Sequence, residues 1–166
     1  VKSSTNQGTS AMVGSKVTHD GKTWQRITFS GAPTAIVTPE LRMVDGSLNS
    51  PTLASLGLAV GDTVEAFARY SAASLANASS ILLRLRTLLD DDATSVALVG
   101  QGDYDGSQAG SLVLPTQTGV LRCRMVLPAT SVRLRLTCCT QAVANTLSGT
   151  IDWTDVSVRK VTAGML

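Results

Sequence analysis

The sequence predicts an all-β domain: a two-sheet antiparallel β-sandwich of the jelly-roll kind. Three observations carry this. Apolar and polar residues alternate in short runs, Gly-, Pro- and Asp-containing turns separate the runs, and about eight to ten runs succeed one another along the chain. A period of two puts successive side chains on opposite faces of a strand, so one face is buried and the other solvated.

The clearest run is Val120-Leu121-Arg122-Cys123-Arg124-Met125-Val126-Leu127, with Leu121, Cys123, Met125 and Leu127 inward and both arginines outward. Pro128-Ala129-Thr130 ends it. The next run, 131–138, turns Val132, Leu134, Leu136 and Cys138 inward. Upstream, 22–30 reads as a strand with Trp24, Ile27 and Phe29, closed by Gly31. Residues 35–44 contain Pro39 and suit an edge strand or two pieces. Leu53, Leu56 and Leu58 cluster as in a helical turn over 50–60.

Val60-Gly61-Asp62 is a turn signal that opens a strand over 63–70. The Ala-rich stretch 64–78 also admits a helix; a strand to Tyr70 and a connection over 71–77 is preferred. Strands are expected at 80–89, 93–99 and 111–114, the last two flanking a loop at 100–107. The final strand, 150–161, changes its inward set from Ile151 and Trp153 to Val156 and Val158. That slip of one residue predicts a bulge near Thr154 and Asp155. Residues 1–14 read as a flexible lead-in and 15–166 as one sandwich domain, with no internal repeat.

Composition narrows the function. At 43% hydrophobic the chain has material for a core, and no apolar run approaches the span a membrane helix needs. Membrane insertion is not expected. A net charge of +2 does not announce nucleic acid, and no aromatics interleave the arginines for base stacking. Cys123, Cys138 and Cys139 are an odd set with two adjacent, which reads as buried free thiols rather than a disulfide framework. The chain opens at Val1 without a signal segment and reads as a piece of a longer or processed protein.

Catalysis finds little support. His19 is the sole histidine and sits in a turn, and there is no Gly-x-Ser-x-Gly elbow, zinc motif or phosphate-binding glycine loop. Asp90-Asp91-Asp92 and the Asp103/Asp105 pair lie in solvated turns rather than facing each other across a cleft. No enzyme activity is expected of this domain.

Three segments in order resemble the jelly-roll carbohydrate-binding-module superfamily found on glycosidases and phage tail proteins. They are Lys22-Thr23-Trp24-Gln25-Arg26-Ile27-Thr28-Phe29, then Leu56-Gly57-Leu58-Ala59-Val60-Gly61-Asp62-Thr63-Val64, and Gly149-Thr150-Ile151-Asp152-Trp153-Thr154-Asp155-Val156-Ser157-Val158. The resemblance covers nearly the whole chain. It implies a possible structural calcium, with Asp155 as ligand by position; the acidic partner usual near the first strand is missing from 1–14. An ordinary turn-capping Asp155 is the alternative.

Six aromatics are present, and Trp24, Phe29, Phe67 and Trp153 fall in apolar strand patterns that suit the core. Tyr104, between Asp103 and Asp105, is then the candidate glycan contact. Ten of the fourteen basic residues are arginine, and six form the pairs Arg84/Arg86, Arg122/Arg124 and Arg133/Arg135. Each pair shares one face of its strand, and neighbouring strands would make a basic stripe. A solvated face, a subunit interface and recognition of an acidic glycan all remain open for it.

The resemblance implies a non-catalytic carbohydrate-binding-like domain near the C-terminus of a phage tail spike or fibre, serving host-glycan recognition or trimer assembly. A bacterial surface polysaccharide and a homotrimer are the implied partners, and the implied location is the virion after synthesis in the bacterial cytoplasm, or otherwise the extracellular space. A purely structural trimerisation cap, or an accessory module of a larger polysaccharide-degrading enzyme, are the alternatives.

Overall fold

The computed structural model describes residues 2–4, 11–30, 40–102, 112–142 and 148–161. Among them are nine strands: β1 (Lys2–Ser4), β2 (Ala11–His19), β3 (Lys22–Ser30), β4 (Glu40–Arg42), β5 (Thr63–Leu88), β6 (Ser95–Gly102), β7 (Leu112–Val126), β8 (Arg133–Ala142) and β9 (Ser148–Lys160). A single 3-10 turn at Ala54–Leu56 is the one helical element among the described residues, and no helix is long and apolar enough to cross a membrane.

Every pairing is antiparallel, and β5 organises them. The first part of β5 lies between β7 and β9, with β3 and β2 beyond β9. The second part lies between β6 and β8, with β4 and β1 beyond β8. The chain thus forms two layers joined through one 26-residue strand. Register shifts at Ala73/Ala76, Leu75/Ala78 and Ala78/Ser80, with Ser74 at a positive φ of 51°, mark where β5 passes from one layer to the other.

The core is what the alternation predicts. Leu121, Cys123, Met125 and Leu127 face Leu134, Leu136 and Cys138 across one apolar cluster with Ile27, Phe29, Tyr70, Leu83, Leu85, Ile151 and Trp153. Each fully buried Leu or Ile contributes about 1.5–3 kcal/mol relative to leaving it in water. Val132 departs from the pattern: it precedes β8 and is exposed. The predicted bulge is present, since between Phe67/Arg69 of β5 the partner strand β9 advances from Ser157 to Thr154, and Asp155 takes a positive φ of 52°.

Two expectations are overturned. Residues 71–77 are strand, not connection: small Ala and Ser side chains let β5 run unbroken through the layer change. Residues 2–4 and 11–14, expected as part of a lead-in, are strand, because β1 pairs with β4 and β2 with β3; the rest of 1–14 lies outside the described residues. As an edge strand, β2 buries little; Val13 is exposed, so its sequence shows no apolar rhythm.

Candidate functional site

The outer face of the first layer carries the densest chemistry. On β5 the residues between the buried Val64, Ala66, Ala68 and Tyr70 are Glu65, Phe67 and Arg69, and these point away from the core. Register sets Arg124 and Arg159 on either side of Glu65, and Arg122 and Ser157 on either side of Phe67. Arg124 Nε donates to Glu65 Oε1 at 2.8 Å, while Arg159 Nε and Nη2 donate to Oε2 at 2.9 and 2.6 Å. The hydrogen bonds from Arg159, then Arg124, hold the Glu65 carboxyl below its ordinary range against the opposing effect of desolvation.

Next in line, Phe67 is half-buried with two guanidiniums against its ring, Arg122 at 5.2 Å and Arg69 at 5.7 Å from the centroid. Arg69 also meets Asp155 at 3.0 Å, and Lys22 reaches the same carboxylate oxygen at 2.7 Å. A depression of about 320 Å³ lies over these residues, lined by Glu65, Phe67, Arg122, Asp155, Ser157 and Arg159. It combines an aromatic surface with hydroxyl, carboxylate and guanidinium groups. Further along the face, His19 stacks on Trp24 with centroids 4.2 Å apart, beside Asp152, which takes a two-pronged contact from Arg26 at 2.8 Å per bond. The only histidine is therefore part of a packed cluster.

A second cavity, about 330 Å³ and more apolar, opens beside β2, β4 and the bulge of β9, with Trp24, Trp153, Leu41 and Met43 among its walls.

The sequence candidates distribute as follows. Asp103, Tyr104 and Asp105 lie outside the described residues. Arg122 and Arg124 belong to the Phe67 face. Arg84 and Arg86 on β5 and Arg133 and Arg135 on β8 share the outer face of the second layer, so two of the three pairs do lie on neighbouring strands. Asp155 does not fit calcium. Its carboxylate is engaged by Lys22 and Arg69, two cations where calcium needs further oxygens, and no group of three or more possible ligands occurs among the described residues.

Phe67 is not part of the core its apolar run suggests; it lies on the outer face with Glu65, Arg69 and Arg159, which the sequence does not single out. The signal was available: Val64, Ala66, Ala68 and Tyr70 occupy the buried phase, so Glu65, Phe67 and Arg69 must occupy the other.

No protein-family model matches the sequence, and no curated protein does either. Solved structures do match in fold. The enzymatically active domain of tailspike protein 4 from bacteriophage CBA120 aligns with TM-score 0.59 and 13% identity over 96% of this chain. A structure of carbohydrate-binding modules from the β-sandwich superfamily aligns with TM-score 0.58 and 14% identity over 95%. A family 4 carbohydrate-binding module aligns with TM-score 0.51 and 11% identity over 93%. This chain spans 19% of the tailspike chain, 56% of the second structure and 79% of the third. The fold is that of the jelly-roll carbohydrate-binding modules.

Proposed function

We propose that this domain is a non-catalytic glycan-binding module of a phage tail spike or fibre, displayed on the virion as a homotrimer and contacting bacterial surface polysaccharide. The observation that carries the binding reading is the Phe67 depression. Phe67 and the carbon stems of Arg69 and Arg122 supply an apolar floor, on which the C–H face of a pyranose can lie. Asp155 at the rim accepts from sugar hydroxyls, Ser157 accepts and donates, and Arg122 and Arg159 donate, while Glu65 lies buried beneath its two arginines. The fold likeness to carbohydrate-binding modules and to a tailspike domain supports the same reading.

A non-catalytic role agrees with the use of the acids. Hydrogen bonds from Arg159 and Arg124 hold the Glu65 carboxyl below its ordinary range, and Lys22 does the same for Asp155, the opposite of the raised pKa a general acid needs. Asp103, Tyr104 and Asp105 are proposed as additional contacts.

A glycan array of bacterial surface polysaccharides tests this. Binding is expected, and Phe67→Ala should weaken it about tenfold or more, as loss of an aromatic anchor does. An array without any hit at millimolar sugar, or a Phe67→Ala variant that binds unchanged, overturns the reading. Sedimentation at high concentration tests the trimer; a clean monomer counts against it.

A further inference from the structure

The outer face of the second layer carries guanidinium groups that the fold only partly neutralises. Register identifies them: Arg42 of β4 and Arg84 of β5 both lie opposite Thr137 of β8, and Arg86 lies directly opposite Arg135. Directly opposed residues of an antiparallel pair share a face, with β-carbons about 4.5–5.5 Å apart, and like charges there repel. The turn after β5 answers one end of this cluster. Asp90 meets Arg133 at 2.9 Å and Asp92 meets Arg135 at 3.2 Å.

At the other end Arg42 has a partner of its own, but Arg84 and Arg86 are not reached. Arg84 and Arg86 have no acidic partner among the described residues, and Arg86 Nε is buried without any hydrogen-bond partner. On the flank, β6 places Gly100 opposite Arg84 and Gly102 opposite Leu82. Glycines inside a strand weaken it and leave the backbone open to close approach by another group. An uncompensated arginine pair beside a bare stretch of strand is a costly arrangement for stability alone.

We infer that this face is an oxyanion site, with Arg84 and Arg86 holding a carboxylate, phosphate or sulfate group through their N–H donors. Guanidinium forks match the planar or tetrahedral oxygens of such groups. A second copy of the chain is the weaker occupant, because half of its twelve acids are already spent. Among them Asp62, Glu65, Asp90, Asp92, Asp152 and Asp155 already hold cations of their own chain. An oxyanion borne by an acidic polysaccharide brings the missing charge from outside. The site lies on the opposite layer from Phe67 and does not depend on the reading of that face.

The test titrates the whole chain with sodium sulfate, sodium phosphate and polygalacturonate, against sodium chloride at equal ionic strength, reading the melting temperature and the heat of binding. Sulfate and phosphate should raise the melting temperature. If the group is recognised on a polymer, polygalacturonate binds more tightly than either inorganic ion. Arg84→Gln with Arg86→Gln should lose the rise and weaken binding about tenfold or more, while Lys160→Gln, elsewhere on the chain, retains both. Without anion, Arg86→Gln should melt no lower than the parent, since its repulsion with Arg135 is gone; a purely structural arginine would lower it. Phe67→Ala should keep the anion response, which separates this site from the glycan face. An anion response absent from the parent, or intact in the double variant, overturns the proposal. So does a change of sedimentation in the double variant with no change in anion binding, which assigns the face to contact between copies.

Discussion

Gly119 of β7 sits directly opposite Tyr70 of β5, and the tyrosine ring covers it so closely that a β-carbon at 119 would come within 2.5 Å of Tyr70 Cε1. Tyr70 itself is buried and tilted against Trp153, with centroids 5.8 Å apart and planes at 52°. The ring therefore has little room to yield. Gly119→Ala should destabilise the domain by about 1–3 kcal/mol, the usual cost of overpacking a core. Urea unfolding reads this directly. A second variant with Tyr70→Leu in the Gly119→Ala background should recover part of the loss, because the clash is with the ring and not with backbone.

Gly149 differs in kind. It has a φ of 103°, and a β-carbon there would collide with the backbone of Ser74 and Leu75. Neither strain nor clash can be relieved by moving a side chain, so Gly149→Ala should cost more than Gly119→Ala, about 3 kcal/mol or above. Comparing the two urea midpoints checks the order; equal midpoints would sink the distinction.

Acid should weaken the fold through Glu65. Its folded-state pKa is lowered from 4.5 by the hydrogen bonds of Arg159 and Arg124, so the folded state binds fewer protons than the unfolded chain. The stabilisation is present above the unfolded value and is lost as pH falls through the folded one. Asp62, held down by Lys160, and Asp155, held down by Lys22, have the same sign. Melting temperature should be level near neutrality and decline below about pH 4.5. Glu65→Gln should melt lower than the parent at pH 7 and show a shallower decline.

The three cysteines should be silent to thiol reagents while the domain is folded. All are outside disulfides and buried, and burial pushes Cys123 up to about 11 and Cys138 well above its ordinary value. Only the thiolate reacts, and at pH 8 it is scarce and screened. Iodoacetamide should label none rapidly in buffer and all three in denaturant. Fast labelling of Cys123 in the native state would contradict its placement in the core.

Much of the fold was legible wherever one face of a strand is apolar and the other charged. Residues 120–127 announce their faces because arginine cannot be mistaken for core, and the bulge at Asp155 shows as a one-residue slip in the inward set. Legibility failed where side chains are small or an edge strand buries little. In 71–78 alanine and serine have no strong rhythm, and only partner strands on both sides fix them as strand. At the candidate site, the arginine pairs were visible but their neighbours were not. Glu65 meets Arg124 and Arg159 across 59 and 94 residues of sequence, a pairing that only register reveals. Phe67 was missed because an aromatic in an apolar stretch looks like core until its phase is counted.

Strand β5 has neighbours on both sides in both layers: β7 and β9 along its first part, β6 and β8 along its second. Neither layer can therefore dissolve while leaving the other whole, since each would take the middle strand of its partner with it. A half-sandwich is not an available resting state, and unfolding by heat or denaturant should be one concerted transition. The same wiring slows the outward journey's reverse. Assembly must gather strands distant in sequence around one long template before any layer is secure, which places this domain among the slow folders of its size.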